Sequence, residues 1–241
     1  MSRPIEIEPL RWIARIGGAT AEDLARALSL PSQRTAQRHL RALEDAGLAR
    51  RAQLLYAQPA LWLATAAGLR LAGQSSLGVS SVSASGFAHM LECGRVAATL
   101  EQGLSAGITL CGERELRAWE RAAARPLASA EVGFGPDGSV ALHRPDLVAW
   151  NAIGAAVAVE VELTRKASQR LRAIVRGWAR SRCVDGVLYL CTADTGRAVT
   201  CAIESERAQS HVEVLALEAW TAAQVESMFA PRSHSSVPNP A

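Results

Sequence analysis

The chain has 241 residues, enough for one or two domains that each bury a core, and we expect two. Alanine and leucine carry most of the 49% hydrophobic content while aromatic residues make up only 5%, which favours helices over a β-sandwich and indicates an α or mixed α/β class. A formal charge of +3 does not by itself imply a nucleic-acid partner, and five cysteines without CxxC spacing suit reduced core thiols rather than a zinc site.

The N-terminus does not resemble a signal peptide. Pro4, Glu6 and Glu8 interrupt the basic-then-apolar pattern that such a peptide needs, so we expect the protein to stay in the cytoplasm. The longest apolar stretch, 147–163, contains Glu160 and is too short and too charged to span a bilayer. We therefore expect no contact with a membrane.

Residues 1–72 show the order of elements of a winged helix-turn-helix. Thr20 followed three residues later by Asp23 indicates a helix N-cap, Ser32 indicates another, and Gly47 stands where a left-handed helix end is expected. Two apolar stretches separated by a turn predict a two-stranded wing. The predicted helices are 9–16, 21–28, 32–46 and 65–71, and the predicted wing strands are 48–55 and 60–64.

The predicted helix 32–46 separates an apolar face from a basic one. Ala36, Leu40 and Leu43 fall on one side, and arginine and glutamine side chains fall on the other. Arginine can pair with guanine and glutamine with adenine in the major groove, and cations at the start of the wing can approach phosphates, so this face indicates binding to double-stranded DNA. The alternative is a solvated face in an arginine-rich protein. The predicted DNA-contacting residues are Gln33, Arg34, Gln37, Arg38, Arg41, Arg50 and Arg51.

The run RTAQRHLRALEDAGL, at 34–48, resembles the recognition helix and the start of the wing in many bacterial transcription regulators. This resemblance implies a DNA-binding protein. Because a winged helix commonly works on a DNA site with two-fold symmetry, we expect a homodimer.

A Gly- and Ser-rich stretch without charge, 73–86, predicts a flexible linker between two domains. Helices and strands alternate after it, over 87–230, and this order predicts an α/β/α domain with a mixed sheet in a multidomain α/β protein. The predicted helices are 87–103, 113–124, 168–182, 196–208 and 221–229, and the predicted strands are 144–150, 155–163, 186–191 and 212–217. We expect the tail 231–241 to be disordered.

Three carboxylates are expected to meet on neighbouring strands of this second domain. Asp146 lies on one predicted strand, and Glu160 and Glu162, two residues apart on the next, point to the same face. Oxygen ligands in this arrangement suit Mg²⁺, which a nuclease uses to polarise the scissile phosphate and to activate water. The alternative is a network without chemistry, in which the glutamates form ion pairs with neighbouring cations. The candidate cations are Arg144, Arg165 and Lys166.

The motifs HRPDLV (143–148) and AVEVELTRK (158–166) resemble the PD-(D/E)XK nuclease superfamily, with Glu162 where lysine is usual. The resemblance implies that Lys166 reaches back into the site from the following helix and that a glutamate of an earlier helix completes it. The implied catalytic residues are Asp146, Glu160, Glu162 and Lys166, and the implied Mg²⁺ ligands are Asp146, Glu160 and a helix glutamate, Glu115 or Glu113.

Histidine and cysteine residues give weaker signals. His89 lies on an apolar helix and is interpreted as a packed or hydrogen-bonded histidine, and His143, beside the Pro-Asp motif, is a weaker candidate still. Cys93, Cys111 and Cys183 are interpreted as core residues rather than nucleophiles.

The order of a winged helix, a helix with FAH (87–89), RPD (144–146) and VEVE (159–162) resembles the replication-relaxation family over most of residues 10–217. This family is associated with plasmids and other mobile elements, so the resemblance implies a DNA-binding protein in their replication, transfer or regulation. Three functions stay open. The first is a regulator whose second domain serves dimerisation, DNA clamping or partner binding. The second is a Mg²⁺-dependent DNA endonuclease targeted by the winged helix. The third is an antitoxin-like autoregulator that binds a partner protein.

Overall fold

A helix-turn-helix followed by a β-hairpin begins the fold in the computed structural model, which describes residues 6–229. Its elements are α1 (Glu8–Ile16), α2 (Ala21–Ala27), α3 (Gln33–Asp45), β1 (Ala49–Ala52), β2 (Leu61–Ala64) and α4 (Ala66–Leu71). The predicted helices are confirmed to within one or two residues at each end. The wing strands are shorter than predicted, because the ladder stops at Ala52 and Leu61 and a longer loop with a fully exposed Tyr56 joins them.

Side-chain caps start three of these helices, α2, α3 and α4. Asp23 N donates to Thr20 Oγ1 at 3.1 Å while Thr20 N donates to the Asp23 carboxylate at 3.0 Å, so each residue satisfies a backbone donor of the other. Thr35 N donates to Ser32 Oγ at 3.2 Å at the start of α3. Gly47, with φ of +69°, turns the chain out of α3 into the wing in the left-handed conformation that glycine adopts most readily.

A mixed sheet with helices on both faces forms the second half of the described chain. Its elements are α5 (Ala84–Gly103), β3 (Thr109–Gly112), α6 (Glu113–Ala123), β4 (Ala130–Phe134), β5 (Val140–His143), β6 (Leu147–Trp150), β7 (Ala156–Glu162), α7 (Ser168–Arg180), β8 (Gly186–Cys191), α8 (Ala193–Glu206), β9 (Val212–Ala216) and α9 (Ala222–Ser227). The strand order is β3-β6-β7-β8-β9, antiparallel from β3 to β7 and parallel from β7 to β9. The predicted α/β class with a mixed sheet is confirmed.

The two faces of this sheet have separate cores. Val157, Val159 and Val161 of β7 belong to a buried cluster that includes residues of α5, whereas Ala156 and Ala158 belong to a cluster built on α7 and α8. This division follows from the alternation of side chains along a strand. It places Glu160 and Glu162 of β7 on the α7 and α8 side.

Short strands in weakly apolar sequence were not predicted. The strand β3 has four residues and pairs with β6 at the edge of the sheet, and β4 and β5 form a separate hairpin. A turn joins the two strands of this hairpin, and in it Gly135 N donates to Ser139 O at 2.7 Å. Both strands of the hairpin are partly exposed, so neither shows the continuous apolar run of a buried strand.

The Gly- and Ser-rich segment 73–86 packs against both halves of the fold. Leu77 and Ser80 are buried, and Arg50 of β1 donates to Ser80 O at 2.8 Å. One buried cluster also continues from α1 and α3 into α5 and the sheet. The predicted domain boundaries at 72 and 87 stay a prediction, and the predicted disordered tail 231–241 lies outside the described residues.

The longest helix of the described chain, α5, has 20 residues and carries glutamates and an arginine along its length. Within residues 6–229, no helix combines the length and the apolar character needed to cross a membrane.

Helix α7 approaches β4 so closely that only glycine fits at the contact. A Cβ at Gly177 would lie 2.6 Å from Glu131 O. We expect Gly177→Ala to lower the free energy of unfolding by about 1–2 kcal/mol, because a Cβ this close to a backbone oxygen places the overpacking cost near the upper end of its usual range, about 2–3 kcal/mol, while alanine regains only about 1 kcal/mol of helix propensity. Urea unfolding measures the change. The control is Gly78→Ala, where an added Cβ meets nothing within 4 Å, and an unchanged midpoint for Gly177→Ala would contradict the packing described.

Candidate DNA-binding surface and carboxylate cluster

The two faces of α3 differ as the sequence predicts. Ala36, Leu40 and Leu43 are buried at 1% exposure or less, and they anchor the helix on α1, α2 and the wing. The opposite face is exposed to solvent. Within residues 6–229, the structure records no hydrogen bond or ion pair made by the five arginine and glutamine side chains of this face. The exposed side chains are Gln33, Arg34, Gln37, Arg38 and Arg41.

The two arginines of the wing have different surroundings. Arg51 is exposed, and its guanidinium donates to the side chain of Gln53 at 2.8 Å. Arg50 is half-buried and is engaged by the carbonyl of Ser80. A phosphate can therefore reach Arg51 directly, whereas Arg50 would first have to leave Ser80.

Asp146 and Glu160 meet across neighbouring strands. Leu147 of β6 pairs with Val159 of β7 in an antiparallel ladder, and the same register brings Asp146, one residue before β6, level with Glu160. The Asp146 carboxylate accepts a hydrogen bond from Val161 N at 2.8 Å, which fixes its position against β7.

Glu160 is buried at 4% exposure and is held by two donors. Its Oε1 accepts hydrogen bonds from His143 Nε2 at 2.6 Å and from Trp178 Nε1 at 3.2 Å. Burial raises the pKa of Glu160, and the positive charge of His143 opposes that rise. Burial disfavours the charged form of His143, but Glu160 outweighs it, and the pKa of His143 is raised above 6.5.

Glu162, the other buried glutamate of β7, forms an ion pair with Lys166 four residues later. Lys166 is thus next to the carboxylates, where both the catalytic and the ion-pair interpretations place it. The other two candidate cations are elsewhere, because Arg144 pairs with Glu120 at 2.7 Å and Arg165 is exposed.

Glu115 binds an arginine of the first helix. The carboxylate of Glu115 lies 3.5 Å from Arg15 Nε, and this ion pair joins α6 to α1. Glu101 is the other charged residue that acts on Glu115. Burial raises the pKa of Glu115, and Arg15 opposes the rise. The structure thus brings Asp146, Glu160, Glu162 and Lys166 together and places Glu115 in a separate ion pair.

Two residues adjoin this cluster that the sequence indicates to be a packed or hydrogen-bonded histidine, His89, and a core cysteine, Cys93. His89 Nε2 lies 3.3 Å from Asp146 Oδ2 and 3.0 Å from Val161 O, and Cys93 Sγ lies 3.6 Å from His89 Nδ1. The hydrogen bond to Asp146 raises the pKa of His89, against the effect of burial. The spacing of four residues between His89 and Cys93 puts them on one face of α5, a signal that was available in the sequence. Their meeting with Asp146 depends on the packing of α5 against the sheet.

The ion pair between His143 and Glu160 predicts a dependence of stability on pH. Because the pKa of His143 is raised above 6.5 by folding, the pair contributes fully below pH 6.5 and its contribution is lost as the pH rises through the raised pKa. We expect the free energy of unfolding, measured with urea in buffer containing a chelator, to fall between about pH 6 and pH 8, and to fall less in His143→Gln. An identical dependence in the variant would contradict the assignment.

Comparison with protein families gives a match to the N-terminal helices. A family model described as a helix-turn-helix domain matches residues 10–52, which cover α1 from its third residue onward, α2, α3 and β1. Comparison with curated proteins and with solved structures gave no match. The resemblance of the second half to PD-(D/E)XK nucleases, and of the chain to the replication-relaxation family, therefore stays a prediction. What the match shows is a helix-turn-helix of the kind that binds DNA, within residues 10–52.

Proposed function

We propose that this protein is a DNA-binding regulator, of transcription or replication in a mobile element, that reads double-stranded DNA with α3. The observation that carries the proposal is the exposed face of α3, which presents three arginines and two glutamines. The opposite face of the same helix is anchored in the core. A helix held in this way can enter the major groove without first breaking contacts of its own.

The chemistry of this face suits base recognition. Arg34 and Arg38, one turn apart, have guanidinium groups that can donate two parallel hydrogen bonds to guanine, and Gln37 can do the same for adenine. Arg51 lies on β1, the wing strand that packs against α3, and its charge suits a phosphate.

A homodimer fits this mode of binding. A single recognition helix contacts only a few base pairs, so a second copy on a two-fold site raises both affinity and specificity. In this proposal the second domain supplies dimer contacts, a clamp on DNA or a surface for a partner protein, and the protein acts in the cytoplasm.

A second candidate function is a Mg²⁺-dependent DNA endonuclease targeted by the winged helix. The observation in its favour is that Asp146 and Glu160 are level with each other on adjacent strands. The present arrangement suits a hard cation only in part. Glu160 Oε1 is taken up by His143 and Trp178, Glu162 is paired with Lys166, and Glu115 is paired with Arg15. Mg²⁺ would have to displace these partners, since it binds oxygen ligands at closely fixed positions.

Removing two arginines of α3 tests the first proposal. We expect Arg34→Ala/Arg38→Ala to weaken binding by about 30-fold or more, because each base contact contributes about 1–3 kcal/mol. Duplexes are selected from random double-stranded DNA with the unaltered protein, and fluorescence anisotropy then measures the dissociation constants. The control, Arg172→Ala/Arg197→Ala, removes the same charge from exposed positions of α7 and α8. Retained affinity in the α3 variant would rule out α3 as the recognition helix.

Incubation with supercoiled and linear DNA separates the two functions. Under the regulator proposal we expect binding without cleavage in Mg²⁺, in Mn²⁺ and in chelator. Metal-dependent cleavage that disappears in both Asp146→Asn and Glu160→Gln would instead establish the endonuclease. Because these substitutions keep the shape of each side chain, we expect both variants to fold. Circular dichroism checks this.

A further inference from the structure

We propose that His89, Cys93 and Asp146 form a binding site for a divalent cation of the Zn²⁺ class, where α5 meets the ends of β6 and β7. Among the described residues, they are the group of three whose nitrogen, sulfur and oxygen ligand atoms all lie within 4.8 Å of one another. The inference does not depend on DNA binding by α3.

The distances between the ligand atoms fit a tetrahedral ion. Nitrogen and oxygen ligands at about 2.0–2.1 Å from zinc are about 3.3 Å apart at the tetrahedral angle, and a thiolate at about 2.3 Å is about 3.6 Å from the nitrogen. The corresponding distances here are 3.3 Å from His89 Nε2 to Asp146 Oδ2 and 3.8 Å from Cys93 Sγ to His89 Nε2. The third pair, Cys93 Sγ and the Asp146 carboxylate oxygen, lies within 4.8 Å, so a movement of about 1 Å brings it to the spacing of a coordinated pair.

The set of donor atoms selects the class of ion. Imidazole and thiolate are ligands of Zn²⁺ and related transition metals, whereas Mg²⁺ and Ca²⁺ prefer oxygen. Carboxylates dominate the surroundings of the thiol, because Asp146, Glu160, Glu92 and Glu113 all act on Cys93. Burial raises the pKa of Cys93, these negative charges raise it further, and a bound cation would offset both effects.

The backbone of β7 contacts two of the three proposed ligands, Asp146 and His89. Val161 N donates to the Asp146 carboxylate and so orients it, as hydrogen bonds to metal-binding carboxylates do, while His89 Nε2 lies 3.0 Å from Val161 O. Binding of the cation replaces the proton on His89 Nε2 and the proton on Cys93 Sγ, and both protons pass to solvent. All three residues are partly exposed, so an ion can reach them and a water can take the fourth position.

Cobalt binding tests the inference directly. The untagged protein is stripped with chelator and titrated with Co²⁺, and we expect one equivalent to bind with the near-ultraviolet absorption of a cobalt–thiolate bond and the visible bands of a tetrahedral ion. Zn²⁺ should displace it. Wild-type protein that binds no stoichiometric Co²⁺ or Zn²⁺, or binds Co²⁺ without the thiolate absorption, would overturn the proposal.

Variants then identify the ligands. We expect Cys93→Ser to lose the thiolate absorption and His89→Ala to weaken Zn²⁺ binding by about 100-fold or more, while the control Cys201→Ser, at an exposed cysteine of α8, changes neither. Glu160→Gln should keep the cobalt spectrum, because Glu160 is not a ligand in this site. Loss of the spectrum in Glu160→Gln, or its retention in Cys93→Ser, would contradict the assignment.

Discussion

Every residue of β7 is buried, so the middle of the sheet holds two glutamates where an unpaired charge would be costly. The neighbouring elements supply the partners. His143 comes from the end of β5 and Trp178 from α7, and both donate to Glu160, while Lys166 comes from the turn before α7 and pairs with Glu162. These two hydrogen bonds and this ion pair therefore link the β4–β5 hairpin, α7 and the segment before α7 to β7.

Arginines connect α1 to α5 and α6. Arg15 of α1 lies 3.1 Å from Glu101 of α5 and also contacts Glu115 of α6, and Arg114 donates to Ala14 O at 3.2 Å. Helix α5 packs on α2 as well, and the same helix carries His89 and Cys93. Helix α3, through its contacts with α2, and the carboxylate cluster thus belong to one packed structure that includes α5.

Much of the local structure could be predicted from the sequence. The Thr20 and Asp23 capping pair, the Gly47 helix end and the division of α3 into a buried and an exposed face depend on residues within one or two turns of each other. The shorter strands were missed or misjudged in length, since β3 and the β4–β5 hairpin lack a continuous apolar run and depend on their partners for stability.

The sequence by itself determined which residues share a face: the basic residues of α3, and Glu160 with Glu162 on β7, because helical and strand periodicity act locally. Only the tertiary structure decided what those faces meet. It put His143 and Trp178 on Glu160, His89 and Cys93 beside Asp146, and Glu115 on Arg15. These contacts join residues far apart in the chain, and they depend on strand order and helix packing, which local patterns do not specify.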